Sequence, residues 1–159
     1  MNKRALVKKI LAQIEAEVES YAKAAKAAHA EATHEQNKAE NKYDTRGLEA
    51  AYLAGAQSRQ AAVAQQAIED FTKLALKDFT EADAIDLTAL VELESKGERS
   101  VFFIGPCKGG LEIQQNGHEV LVLTPQAPLG QQLVGRKQGD RFKWGEGRFA
   151  TEYRITAVS

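Results

Sequence analysis

Glycine and proline are spread so unevenly along this chain that they divide it before any other pattern is read. Up to Ala84 there are two glycines, Gly47 and Gly55, and no proline, whereas Gly97 to Gly147 holds the other ten glycines and all three prolines. Glycine frees the backbone and proline removes an N–H donor, so both punctuate regular structure. The first part therefore reads as long helix and the second as short strands and turns, with a boundary near Asp78 to Asp86. The chain has 26 alanines, which add little apolar area each and favour closely packed helices.

Val7, Leu11, Ile14, Val18, Tyr21, Ala25, Ala28 and Ala32 are spaced alternately four and three apart, the a/d seam of a coiled coil held over about four heptads. Large residues come first and alanines follow, so a partner helix approaches more closely as the chain leaves its N-terminus. A second run from Arg46 to Lys77 places Leu53, Ala56, Gln60, Val63, Ala67, Phe71 and Leu74 on one predicted face. Folding the runs back on each other puts the turn in Lys38–Gly47, a strongly polar segment suited to a hairpin end. Two helices of about 30 residues make an arm about 45 Å long at 1.5 Å per residue. An arm that long lacks a core of its own, and reaching into something is its natural use.

The second part alternates as a sheet does. Leu90–Glu94 and Val101–Ile104 flank a Lys96–Gly97 turn, and Leu111–Ile113 and Val120–Leu123 flank Asn116–Gly117, both hairpin signals. Pro128 opens and Gly135 closes a short helix with Leu129 and Leu133 on its inner face. Arg141–Trp144 and Glu152–Val158 complete a small, mostly antiparallel sheet. Phe102, Phe103, Phe142, Trp144, Phe149 and Tyr153 are its candidate aromatic core. The fold class expected is α+β: residues 1–80 as an antiparallel coiled-coil arm with its tip near 38–46, and 85–159 as a β domain with one short helix.

Composition excludes several functions. At 159 residues and 17.4 kDa the chain is one domain or two small ones, too short for a large multidomain enzyme. Its 21 basic and 22 acidic residues leave a formal charge of -1, without the basic field that grips bare nucleic acid. Cys107 alone makes no internal disulfide and no thiolate metal site, and reads as an inert thiol near a turn. Cys107–Gly110 is glycine-rich but lacks phosphate-loop spacing. His29, His34 and His118 form no i,i+4 pair, so no zinc site is expected, and no nucleophile–base motif is present. There is neither the apolar run of a signal peptide nor that of a membrane span, and a soluble cytoplasmic protein without membrane contact is expected.

The segment Ala127-Pro-Leu-Gly-Gln-Gln-Leu-Val-Gly-Arg-Lys-Gln-Gly-Asp140, with the closing strand Tyr153–Val158, resembles the C-terminal domain of the bacterial GreA/GreB-type transcript-cleavage factors. With the helical hairpin before it, the whole chain is similar to such a factor. The resemblance implies an FKBP-like C-terminal domain that docks on bacterial RNA polymerase at the mouth of its secondary channel. It implies that the coiled coil reaches down that channel, and that acidic tip residues help hold a Mg²⁺ ion shared with the polymerase's active centre. Hard carboxylate oxygens suit Mg²⁺, and a second metal activates water for the in-line displacement. The protein is then no enzyme itself but a monomeric accessory factor that binds no Mg²⁺ tightly alone and meets nucleic acid only within the transcription complex.

The family's tip is an Asp, two residues, then Glu-Asn, closely followed by Tyr. Asn37-Lys-Ala-Glu40-Asn41-Lys-Tyr43 is the nearest stretch here, with Asn37 in place of the first acid. An amide oxygen brings no charge to the ion. Glu40 and Asp44 are therefore the candidate catalytic and metal-holding pair, converging across the turn, with Glu35 more distant. Arg136, Lys137, Arg141, Lys143, Arg148 and Arg154 gather late in the chain, facing an acidic partner or only solvent. Three alternatives stand beside this reading: a non-cleaving regulator of the same channel, either a Gre paralogue or Rnk-like; a prolyl isomerase, by fold analogy alone; and a self-associating structural coiled coil. The long arm argues against the Rnk-type subgroup, whose coiled coil is short, and Asn37 favours a non-cleaving relative.

Overall fold

The computed structural model describes residues 2–34, 40 and 45–159. Three helices, α1 (Lys3–Thr33), α2 (Arg46–Thr72) and α3 (Pro128–Leu133), accompany six strands: β1 (Leu90–Ser95), β2 (Glu98–Ile104), β3 (Glu112–Gln115), β4 (His118–Leu123), β5 (Arg141–Trp144) and β6 (Thr151–Val158). The expected α+β class is the one observed. Residues divide into two compact units: Leu11–Glu69, and Met1–Ile10 together with Asp70–Ser159. The first turns of α1 thus belong with the sheet.

In the helical unit the α1 seam lies where the heptads place it. Ile14 and Ala28 are buried, and Leu11, Val18, Tyr21, Ala25 and Ala32 are half-buried. The α2 face departs from expectation: Leu53, Gln60 and Val63 are exposed, Leu53 by 51% and Val63 by 64%. Over residues 47–64 the residues turned inward are Gly47, Ala50, Ala54, Gln57, Ala61 and Ala64, again three and four apart, whereas Ala56 of the expected face is half-buried and Ala67, Phe71 and Leu74 stay inward as expected. The observed seam is rotated by about one residue, roughly 100°. Residue size misled the pattern: the residues turned inward over this stretch are mostly small ones, while the larger Leu53 and Val63 are exposed.

The sheet has the order β3-β4-β2-β1-β6-β5, antiparallel throughout except for the parallel pair β2 and β4. Both expected hairpins form. Lys96 and Gly97 have φ of 52° and 82°, and Asn116 and Gly117 have 54° and 76°, the positive pair that a type I′ turn requires. Val91, Leu93, Phe102, Ile104, Phe142 and Ile155 make a core with Phe79, Ile85 and Leu133. Phe149, expected in that core, is 73% exposed on a short 3₁₀ turn, Gly147–Phe149, with the Arg148 guanidinium 5.2 Å from its ring centroid.

The helix ends included in this unit supply its other apolar contacts. A Cβ on Gly105 would stand 3.2 Å from Phe71 Cζ and 3.0 Å from Val122 Cγ1, so the α2 terminus packs where the strand has no side chain. Leu6 and Ile10, outside the predicted seam, are fully buried. Gln115 Nε2 donates to Asn2 O at 2.9 Å and Lys9 Nζ to Gln114 O at 2.7 Å, fastening the start of α1 to β3. Lys3 Nζ donates to Lys77 O, which brings the beginning of α1 beside the segment after α2 and makes the two helices antiparallel. Lys3 and Lys77 ammonium groups each lie 4.7 Å from the Phe79 ring centroid. Burial lowers the Lys3 pKa, and the nearby Asp78 carboxylate opposes that shift.

Candidate functional site

Two regions bear on function: the end of the helical unit, and the Ala127–Asp140 motif in the sheet unit. At the first, α1 closes at Thr33, whose hydroxyl donates to His29 O at 3.0 Å. Such back-bonding to the carbonyl four residues earlier is the local hydrogen bond by which threonine competes with regular helix. α2 starts at Arg46, and the Thr45 hydroxyl donates to Glu49 Oε1 at 3.0 Å. The segment between them brackets the predicted tip.

Glu40 is exposed there, its side chain 78% accessible, with Oε1 4.0 Å from Nη2 of Arg46. An ion pair this exposed is worth little, roughly 0–1 kcal/mol. Asp44, the expected partner of Glu40, lies outside the described residues, as do Glu35, Asn37, Asn41 and Tyr43. Among the described residues no group of three His, Cys, Asp or Glu side chains is placed to hold a metal ion.

The second region is bound into the fold. Pro128 begins α3 at a position that needs no N–H, and Leu133 is fully buried. The other inner residue is Gly130, with Leu129 only partly covered: a Cβ at 130 would stand 2.0 Å from Thr124 O, so only glycine permits this approach. Leu129 packs against the core beside Leu133 as expected, and what sequence reading did not show is the close approach that Gly130 permits. Gly135 N donates to Ile85 O and Ile85 N to Arg136 O, both at 2.8 Å, while Gly139 N donates to Ile155 O at 2.8 Å. Asp140 Oδ2 accepts from Lys137 N at 2.9 Å. These bonds join the motif to Ile85 and to β6, which gives its residue pattern a folding role.

The late basic residues divide by partner. Arg136 donates through Nε to Gln132 O and lies 5.1 Å over the Phe142 ring, so it braces α3. Arg141 pairs with Glu152 at 3.6 Å. Lys137, Lys143 and Arg154 are exposed. The best-formed hollow of the sheet unit, about 360 Å³, is lined by Glu92, Arg99, His118, Glu119 and Phe102 among others, with Phe102 its one aromatic. Cys107 is half-buried, and its thiol pKa is raised first by desolvation and then by the Asp70 carboxylate, which suits an unreactive thiol. No helix among the described residues is long and apolar enough to cross a membrane.

No family model and no curated protein matches the chain. Solved structures do. GreA factor homolog 1 (Gfh1) of Thermus thermophilus is 21% identical, with 94% of each chain covered and a TM-score of 0.38. Gfh1 of Thermus aquaticus is 22% identical over 95% of this chain and 92% of its own, with a TM-score of 0.38. A prokaryotic transcription elongation factor GreA/GreB from Nitrosomonas europaea is 17% identical over 60% of this chain and 78% of its own, also at 0.38. Likenesses this distant leave the function to be argued from the residues.

Proposed function

We propose that this chain is a transcription elongation factor of Gre type. It binds bacterial RNA polymerase, its helical arm enters the secondary channel, and Glu40 with Asp44 assists cleavage of backtracked transcripts. The observation that carries this reading is Glu40: an exposed carboxylate in the segment between two long helices. The motif resemblance in Ala127–Asp140 supports the docking role of the sheet unit.

Mg²⁺ held by the polymerase would supply Lewis acidity and an activated water. This chain's part is to bring oxygen ligands. Glu40 leaves Arg46 and offers its carboxylate, and Asp44 supplies the second charge that Asn37 lacks. Arg46, once released, balances the negative charge gathered at the tip. The chain by itself has no nuclease activity on this reading. A second reading, a non-cleaving regulator of the same channel, is favoured by Asn37 alone.

Cleavage of labelled RNA in a stalled, backtracked polymerase complex separates the two. Wild type is expected to stimulate cleavage, and Glu40→Ala and Asp44→Ala to lose about 10–100-fold, the usual cost of disturbing metal ligation, while still binding polymerase. Wild type that binds polymerase and competes with a known channel-binding factor, yet stimulates no cleavage, establishes the regulator instead. Failure to bind core polymerase at low salt overturns both.

A further inference from the structure

The helical unit carries its apolar bulk on the outside of one helix. From Gly47 to Ile68, 22 residues of α2, the charged side chains are Glu49 and Arg59, whereas Leu11–Thr33 of α1 carries Glu15, Glu17, Glu19, Lys23, Lys26 and Glu31. Four of the six large hydrophobic residues exposed among the described residues are on α2: Leu48 at 57%, Tyr52 at 72%, Leu53 at 51% and Val63 at 64%. At about 100° per residue, Leu48, Tyr52 and Val63 share an arc of roughly 60° opposite the Ala54–Ala61 seam, with Leu53 toward its flank. Arg59 lies in the same arc, its Nη1 3.4 Å from where a Cβ on Gly55 would stand, folded along the helix instead of projecting from it. A helix that meets only water on its outer face carries charge there. This one does not.

We infer that the outward face of α2, centred on Leu48, Tyr52 and Val63, is an interaction surface that seats against a concave, weakly charged protein wall. This rests on the function proposed above, in which that wall belongs to the polymerase channel. Two features select such an occupant. The face runs about 24 Å from Leu48 to Val63 and is about 10 Å wide, so pairing with a second copy would bury roughly 500 Å² in total, well below the ~1,200 Å² of a stable interface. A concave wall also covers the flanks, Leu53 included, and so gains area that face-to-face pairing cannot. The near absence of charge matches a lining of low charge, with Arg59 asking for one acceptor opposite it.

The test is equilibrium binding of the full chain to bacterial core RNA polymerase, by competition against labelled wild type, alongside circular dichroism and sedimentation of each variant. Tyr52→Glu and Val63→Glu are expected to bind at least about 10-fold more weakly with helix content unchanged, and Ala27→Glu on the exposed face of α1 to stay within about twofold. Where glutamate lowers helix content, Tyr52→Ser and Val63→Ser give the same comparison without a charge. Stripe variants that bind like wild type overturn this inference and leave the proposed function standing. Wild type that does not bind polymerase overturns the function and this inference with it. Wild type that sediments as a dimer, with Tyr52→Glu a monomer, makes the face a self-association surface and also overturns it.

Discussion

The two units of this molecule are held together by opposite kinds of side chain. In the helical unit the most deeply buried seam residues are Ala28, Ala50, Ala64 and Ala67 with Ile14, while in the sheet unit they are Phe71, Phe103, Ile104, Leu133 and Ile155. A buried CH₂ group contributes about 0.8 kcal/mol. Alanine therefore stabilises the helical unit little by transfer from water. The sheet unit carries a conventional core and has apolar area to spare. Large buried side chains are concentrated in the sheet unit, and in the helical unit several of the large apolar residues of α2 are exposed.

Three changes probe that contrast. Phe103→Ala removes the largest fully buried ring of the sheet and is expected to destabilise that unit by about 3–5 kcal/mol, read by urea denaturation through the single tryptophan, Trp144. A loss under about 1 kcal/mol would mean the sheet does not depend on this core. In the arm, Ala64→Leu overfills the seam and should cost about 1–3 kcal/mol. Val63→Ser, one residue away and exposed, should stay within about 0.5 kcal/mol, both read from helix signal on heating. The reverse order would return the seam to the face first read from the heptads.

The smallest effect is electrostatic and lies beside the sheet. Asp83 Oδ2 accepts from both Thr80 N and Thr80 Oγ1 at 2.8 Å. These bonds favour the carboxylate and lower its pKa, the backbone amide contributing most. Because the folded state binds the proton less readily than the unfolded chain, this contribution is complete above the ordinary carboxylate value of about 4 and is lost as pH falls through the folded one. Asp83→Asn should therefore be slightly less stable than wild type at neutral pH, and the two denaturation curves should converge in acid. Curves that stay parallel at all pH would remove the charge from the account.

Local pattern was enough for much of this architecture. Heptad spacing located α1, Asn116–Gly117 and Lys96–Gly97 located the hairpins, and Pro128 located α3, because each signal depends on backbone conformation within a few residues. The inner face of α2 was not legible, since alanine and glycine form a seam only when a facing helix comes near enough to exclude anything larger. Gly130 was missed for the same reason: its requirement is the carbonyl of Thr124, which only the folded chain brings to it. In the candidate site, Glu40 was legible as a tip carboxylate, but its pairing with Arg46 was not, and its relation to Asp44 lies outside the described residues.

The sequence by itself determined the division into a helical and a sheet-forming part, the length of the arm and the polar segment at its end. Tertiary structure alone decided that Leu6 and Ile10, outside the heptad seam, are buried in the sheet unit, that Phe149 faces solvent, and that Leu48, Tyr52 and Val63 face outward from α2. Periodicity reports that a helix has an apolar stripe, but which of two stripes turns inward depends on the width of the gap its partner leaves, and that is a property of the packed pair.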